Sequence, residues 1–169
     1  MWFSCWGFSV YGAPDNKGVE ALTEIEPGRL LAVTEGVFSG VERLQGWLLS
    51  TGQTPAAEPV SLSDTPLGEM RPTALAKNPG GDVLALERAV SVIGGIRVRL
   101  VRLARDTIAP GATLEGVELA RFGGSLTVDN YEGLAVRGDD LDRLLVYMIS
   151  DNNFSGFQRT LLMQFLLVY

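Results

Sequence analysis

Three times along this chain a strand pattern runs into a turn and returns as a second strand, with polar residues at its open ends. Near the N-terminus Gly18-Val19-Glu20-Ala21-Leu22 opens, Pro27-Gly28 turns, and Arg29-Leu30-Leu31-Ala32-Val33-Thr34-Glu35-Gly36 returns. In the middle, Arg71-Pro72-Thr73-Ala74-Leu75-Ala76 opens, Asn78-Pro79-Gly80-Gly81 turns, and Asp82-Val83-Leu84-Ala85-Leu86-Glu87-Arg88 returns. Towards the C-terminus, Asp129-Asn130-Tyr131-Glu132-Gly133-Leu134-Ala135-Val136 leads through Gly138-Asp139-Asp140 into Leu144 to Ser150, then Asp151-Asn152-Asn153-Phe154. The repeat is about 50 to 60 residues long, in the range of propeller blades and arrays. In a hairpin the start of one strand lies beside the end of the next. Glu20 with Glu35, and Glu132 with Asp151, should therefore meet on one edge of their sheets, and a repeat fold would gather those edges with Glu87 on a common surface.

The stretches between these hairpins supply further strands. Arg43–Ser50, Glu58–Leu62, Ile96–Leu103, Glu115–Phe122 and Thr160–Val168 read as strands between Gly- and Pro-rich breaks. The only helical candidate is a weak one around Val41–Leu49. Phe3–Tyr11 could supply a fourth strand for the third unit by pairing back into it. Units of about four strands point to an all-β, propeller-like architecture of three blades, half of a six-bladed ring. Three blades do not close, so two copies closing one ring as a homodimer is an expectation. The apolar run Leu161 to Tyr169 is too short to span a bilayer and reads as a buried strand.

Composition removes several chemistries. The chain has 169 residues, no histidine and one cysteine, Cys5. Histidine-dependent nucleophilic catalysis, histidine metal ligation, an internal disulfide and multi-cysteine zinc sites are all excluded. The net charge of −6 disfavours a nucleic-acid partner, which needs a basic surface. Carboxylates, Lys, Arg, Tyr or a hard oxygen-bound metal remain as catalytic means. Met1–Val10 has no basic n-region and no small-residue cleavage site, so it does not read as a signal peptide.

The blocks Asp15 to Leu22, Arg29 to Gly36, Arg71 to Leu75, Leu86-Glu87-Arg88, Asp129 to Val136, and Ser150-Asp151-Asn152-Asn153-Phe154-Ser155 with Gln158-Arg159-Thr160 resemble, in order, the phytase-like family, also called "esterase-like activity of phytase". The resemblance divides the chain into an N-terminal edge segment, 1–14, and a partial propeller domain, 15–169. Domains of that family are longer, which implies that this chain corresponds to a C-terminal part of one. The resemblance also implies a bacterial, exported protein, periplasmic or secreted, acting as a hydrolase of phosphate esters.

On that reading Glu20, Glu35, Glu87, Glu132 and Asp151 would ring one mouth and hold Ca²⁺, which takes six to eight oxygen ligands. Glu132, Asp151 and Arg159 are the candidate catalytic residues, and Arg71, Arg88 and Asn152 the candidates for binding substrate. The bound ion would polarise the phosphoryl group and activate water. The alternatives stay open. Each carboxylate could be a repeated structural residue, and each arginine an ion-pair partner of its neighbours. Asp15, Asn16, Asp129 and Asn130 are read as turn caps. Arg97, Arg99 and Arg102 are read as a solvated strand face, and Asp139-Asp140-Leu141-Asp142 as a polar hairpin tip. A non-catalytic ligand- or partner-binding propeller and a truncated family remnant are the competing functions.

Overall fold

The computed structural model describes residues 18–37, 43–51, 56–62, 70–91, 95–123, 128–156 and 158–168. The expected segment 1–14, with its edge strand at Phe3–Tyr11, lies outside them. The fold is all-β and propeller-like, built from three sheets. The first comprises β1 (Val19–Glu26), β2 (Arg29–Thr34), β3 (Leu44–Ser50) and β4 (Ala56–Leu62). The second comprises β5 (Arg71–Lys77), β6 (Val83–Ser91), β7 (Gly95–Leu103) and β9 (Gly116–Phe122). The third holds only β10 (Tyr131–Gly138), β11 (Leu144–Ser150) and β12 (Leu162–Leu167). A short 3₁₀ turn at Arg105–Thr107 precedes β8 (Thr113–Leu114), which pairs parallel to β4 on the edge of the first sheet. The β7–β9 connection thus leaves the second sheet, straps the first, and returns. Of the weak helical candidate around Val41–Leu49, residues 44–49 lie in the strand β3, and 41–42 lie outside the described residues. Burial alternates at period two along it, with Leu44, Gly46 and Leu48 buried.

The middle sheet explains the apolar runs. In β6, Val83 and Ala85 face the first sheet, with Ala21, Leu31, Val33, Leu48 and Val60. Leu84 and Leu86 face the third, with Tyr131, Val146 and Met148. A strand covered on both faces needs apolar residues at consecutive positions, so alternation disappears. For the same reason Arg99 is buried and not on a solvated face. Its Nε lies 2.5 Å from Glu87 Oε2, its direct cross-strand partner.

Among the described residues the third sheet is covered on one face only. The C-terminal strand expected to be buried is an edge strand whose Leu162 and Leu166 are 72% and 43% exposed. Met163, Phe165 and Leu167 pack inward, Phe165 against Phe122.

Strands β1, β5 and β10 each form one edge of their sheet, and β5 packs against both of the others. Lys77 at the end of β5 donates to Ile25 O, and Thr73 at its start donates to Tyr131 O at 3.0 Å. These three strands form the inner line of the molecule, and their N-terminal ends share one mouth.

Candidate functional site

Each inner strand starts with a β-bulge at the same place. Pairing with the neighbouring strand slips between Val19 and Ala21, between Pro72 and Ala74, and between Tyr131 and Gly133. The extra residues are Glu20, Thr73 and Glu132. A bulge re-aims the side chain of its unpaired residue. All three line one cleft of about 390 Å³, together with Glu35 and Arg88.

The same register equates residues across the returning strands. Thr34, Glu87 and Ser150 are Cα partners of Val19, Pro72 and Tyr131 respectively. The next residues, Glu35, Arg88 and Asp151, are therefore the equivalent set. Glu87 belongs one position inward from where the sequence repeat placed it, and its side chain points away from the cleft into the pair with Arg99. Arg88 takes the position that Glu35 and Asp151 hold in the other two units.

Arg88 consequently sits between acids. Its guanidinium lies 3.7 Å from Glu35 Oε1 and 3.5 Å from Glu132 Oε1, which belong to the sheets on either side. Asn130 Nδ2 donates to the same Glu132 oxygen at 2.5 Å and fixes that carboxylate from behind. The Thr73 hydroxyl is held at the floor by the carbonyls of Tyr131 and Leu86. Glu20 has no hydrogen-bond or ion-pair partner among the described residues. Its carboxyl is held above the usual carboxylate range, first by desolvation against the cleft wall and then by the charges of Glu35 and Glu132, with Arg88 pulling the other way.

The remaining expected site residues lie elsewhere. Asp151 Oδ1 accepts from Asn153 N and Asn152 Oδ1 from Phe154 N, so both cap the turn in which Asn153 and Phe154 have positive φ. Arg159 is largely exposed, with its backbone N–H on Asp129 Oδ2. Arg71 pairs beside Arg88 in the strand register, and its Nη1 reaches Met70 O. None of these four lines the cleft among the described residues. Sequence reasoning missed Thr73 and the orienting amide of Asn130. The signal for Thr73 was present. Val19-Glu20-Ala21, Pro72-Thr73-Ala74 and Tyr131-Glu132-Gly133 occupy one register, with Thr in place of Glu.

The donor set fits a hard cation in kind, because three carboxylates surround a single guanidinium and the cleft keeps a negative surplus. Among the described residues, however, no three acidic groups are drawn close enough to hold a metal ion. The positive charge between Glu35 and Glu132 is Arg88.

A family model described as "Phytase-like: Esterase-like activity of phytase" matches residues 8–154. The match takes in all five cleft residues and ends before Arg159 and β12. No curated protein matches the chain.

Proposed function

From membership of the phytase-like family, to which this chain belongs, we propose that it is a phytase-like hydrolase that cleaves a phosphate ester in the Glu20–Glu35–Arg88–Glu132 cleft with the help of Ca²⁺. The observation that carries this reading is the threefold bulge, which sends one side chain from each sheet to a single cleft around a guanidinium. Arg88 presents a planar fork suited to two phosphate oxygens. A phosphate would compete with Glu35 and Glu132 for it.

Such a ligand is anionic, and the cleft already carries more acids than bases. A cation must therefore enter with it. Glu20, Glu35 and Glu132 are the residues that would have to draw together to hold calcium, which would supply positive charge against the phosphoryl oxygens and lower the pKa of water. Glu20, with no hydrogen-bond or ion-pair partner among the described residues and a raised pKa, is suited to take a proton from the attacking water. The Thr73 hydroxyl is held by two main-chain carbonyls at the floor of the cleft, and direct attack by water is the route this reading takes.

The test is hydrolysis of a panel of phosphate and carboxylic esters, with added Ca²⁺ and after chelation. Turnover of a phosphate ester should fall by about 10²- to 10⁴-fold in Glu20→Gln, the range of a general base. In Arg88→Met the loss should appear chiefly in KM. Unchanged turnover in both variants, with native circular dichroism, would remove the cleft as the site. Saturable ligand binding without turnover of any ester would favour the non-catalytic reading.

A further inference from the structure

We propose that the open apolar face of the third sheet docks a second copy of this chain, which presents the Leu22 face of its own first sheet. The argument begins with positional equivalence. By strand register, Ala21, Leu31 and Val33 of the first sheet match Ala74, Leu84 and Leu86 of the second, and Gly133, Tyr147 and Ile149 of the third. In the first sheet these positions are buried under the second, and in the second sheet under the third. In the third sheet nothing among the described residues covers them. Val33 and Leu86 are both 0% exposed, whereas the equivalent Ile149 is 47% exposed. With Gly133, Ala135, Tyr147 and Leu162 it lines an open apolar groove of about 280 Å³.

What covers this kind of face elsewhere in the molecule is the opposite face of another such sheet. That opposite face carries Leu75 in the second sheet and Leu134 in the third, both packed inward. The equivalent Leu22 of the first sheet is 54% exposed, while Ala32, its cross-strand partner on that face, is 2% exposed. Among the described residues the three sheets thus show an open apolar groove on one outer face and an exposed Leu22 on the other, and the two kinds of face fit each other.

Charge supports the same pairing. Where the second sheet docks on the first, Lys77 of the arriving strand reaches the carbonyl of Ile25. By register the arriving residue of a second copy's first sheet would be Glu24, and the receiving residue on the third sheet Arg137. These are of opposite charge. Repeating a head-to-tail contact gives a ring when the rotation closes and a filament when it does not. Two copies of three sheets give six, within the range of closed propellers.

The experiment is light scattering on a size-exclusion column over a concentration series. The wild-type chain should elute as one species of twice 18.2 kDa. Leu162→Arg, at an exposed position, should give a folded species of 18.2 kDa. Glu24→Arg should weaken the dimer at least tenfold, and the charge-reversed pair Glu24→Arg with Arg137→Glu should restore it. A wild-type monomer, a dimer that survives Leu162→Arg, or a concentration-dependent ladder of larger species would overturn the closed pair. These readouts are independent of ester hydrolysis, so either proposal can fail without the other.

Discussion

Glu20 shows how a candidate functional position differs from a stabilising one at the scale of a single residue. Its raised carboxyl pKa means that ionisation is disfavoured in the folded state. The folded-state pKa lies above the unfolded one, so this group's favourable contribution is full below the unfolded value and is lost as pH rises through the folded value. At neutral pH Glu20 is therefore a net cost, moderated by solvent because the side chain is largely exposed. Glu20→Gln should raise the melting temperature at pH 7 by about 1–2 °C, while the gain should vanish near pH 4. A variant that is more stable and less active would mark Glu20 as a site residue. A fall in melting temperature at pH 7 would show that Glu35 and Glu132 do not repel it.

At the scale of elements, the informative contact is the Glu87–Arg99 pair across β6 and β7. Both side chains are less than a tenth exposed, and Arg99 Nη1 lies 3.8 Å from Glu118 on β9. Removing Glu87 takes from the buried Arg99 its 2.5 Å carboxylate contact and leaves the longer one to Glu118. Glu87→Ala should cost about 3–5 kcal/mol in urea unfolding. The double change Glu87→Leu with Arg99→Met should recover most of that, since apolar residues of similar volume can replace a buried pair. A cost below about 1 kcal/mol for Glu87→Ala would mean that the pair is solvated. This contact is also where sequence reading reached its limit. Strand identity was legible for every described strand but β8, because Pro27-Gly28, Asn78 to Gly81 and Gly138 to Asp140 mark turns between apolar segments. Which side chain faces the mouth was legible for Glu20, Glu35 and Glu132. It was not legible for Glu87, because strand register aligns Glu87 with Thr34 and Ser150, and the adjacent Arg88 carries the position that Glu35 and Asp151 hold. Arg97 and Arg99 alternate as a solvated strand would, yet whether a face meets water depends on the neighbouring sheet, which a local pattern does not report. The two-residue β8 owes its existence to β4 and carries no periodicity of its own.

Across the whole molecule, cover is graded from the middle outward. The second sheet is packed on both faces, and Val83, Leu84, Ala85 and Leu86 of β6 are all fully buried between hydrogen-bonded neighbours β5 and β7. The third sheet has one packed face, and β12 is its edge, bonded only to β11 among the described strands. Opening free energies in native proteins follow burial and hydrogen-bond satisfaction, from near zero at frayed edges to the global value in central strands. Amide hydrogen exchange should therefore be slowest in β6, at the rate of global unfolding, and at least a hundredfold faster in β12. The contrast survives docking of another sheet onto the third, because face-to-face packing covers side chains but adds no strand beside β12. Equal protection of β6 and β12 would require that β12 be paired on its second edge. That edge is where the N-terminal strand at Phe3–Tyr11 would belong, so deleting residues 1–14 should then strip the protection from β12 and leave β6 unchanged. The exchange rate of one edge strand thus distinguishes a third sheet of three strands from one completed by the chain's own beginning.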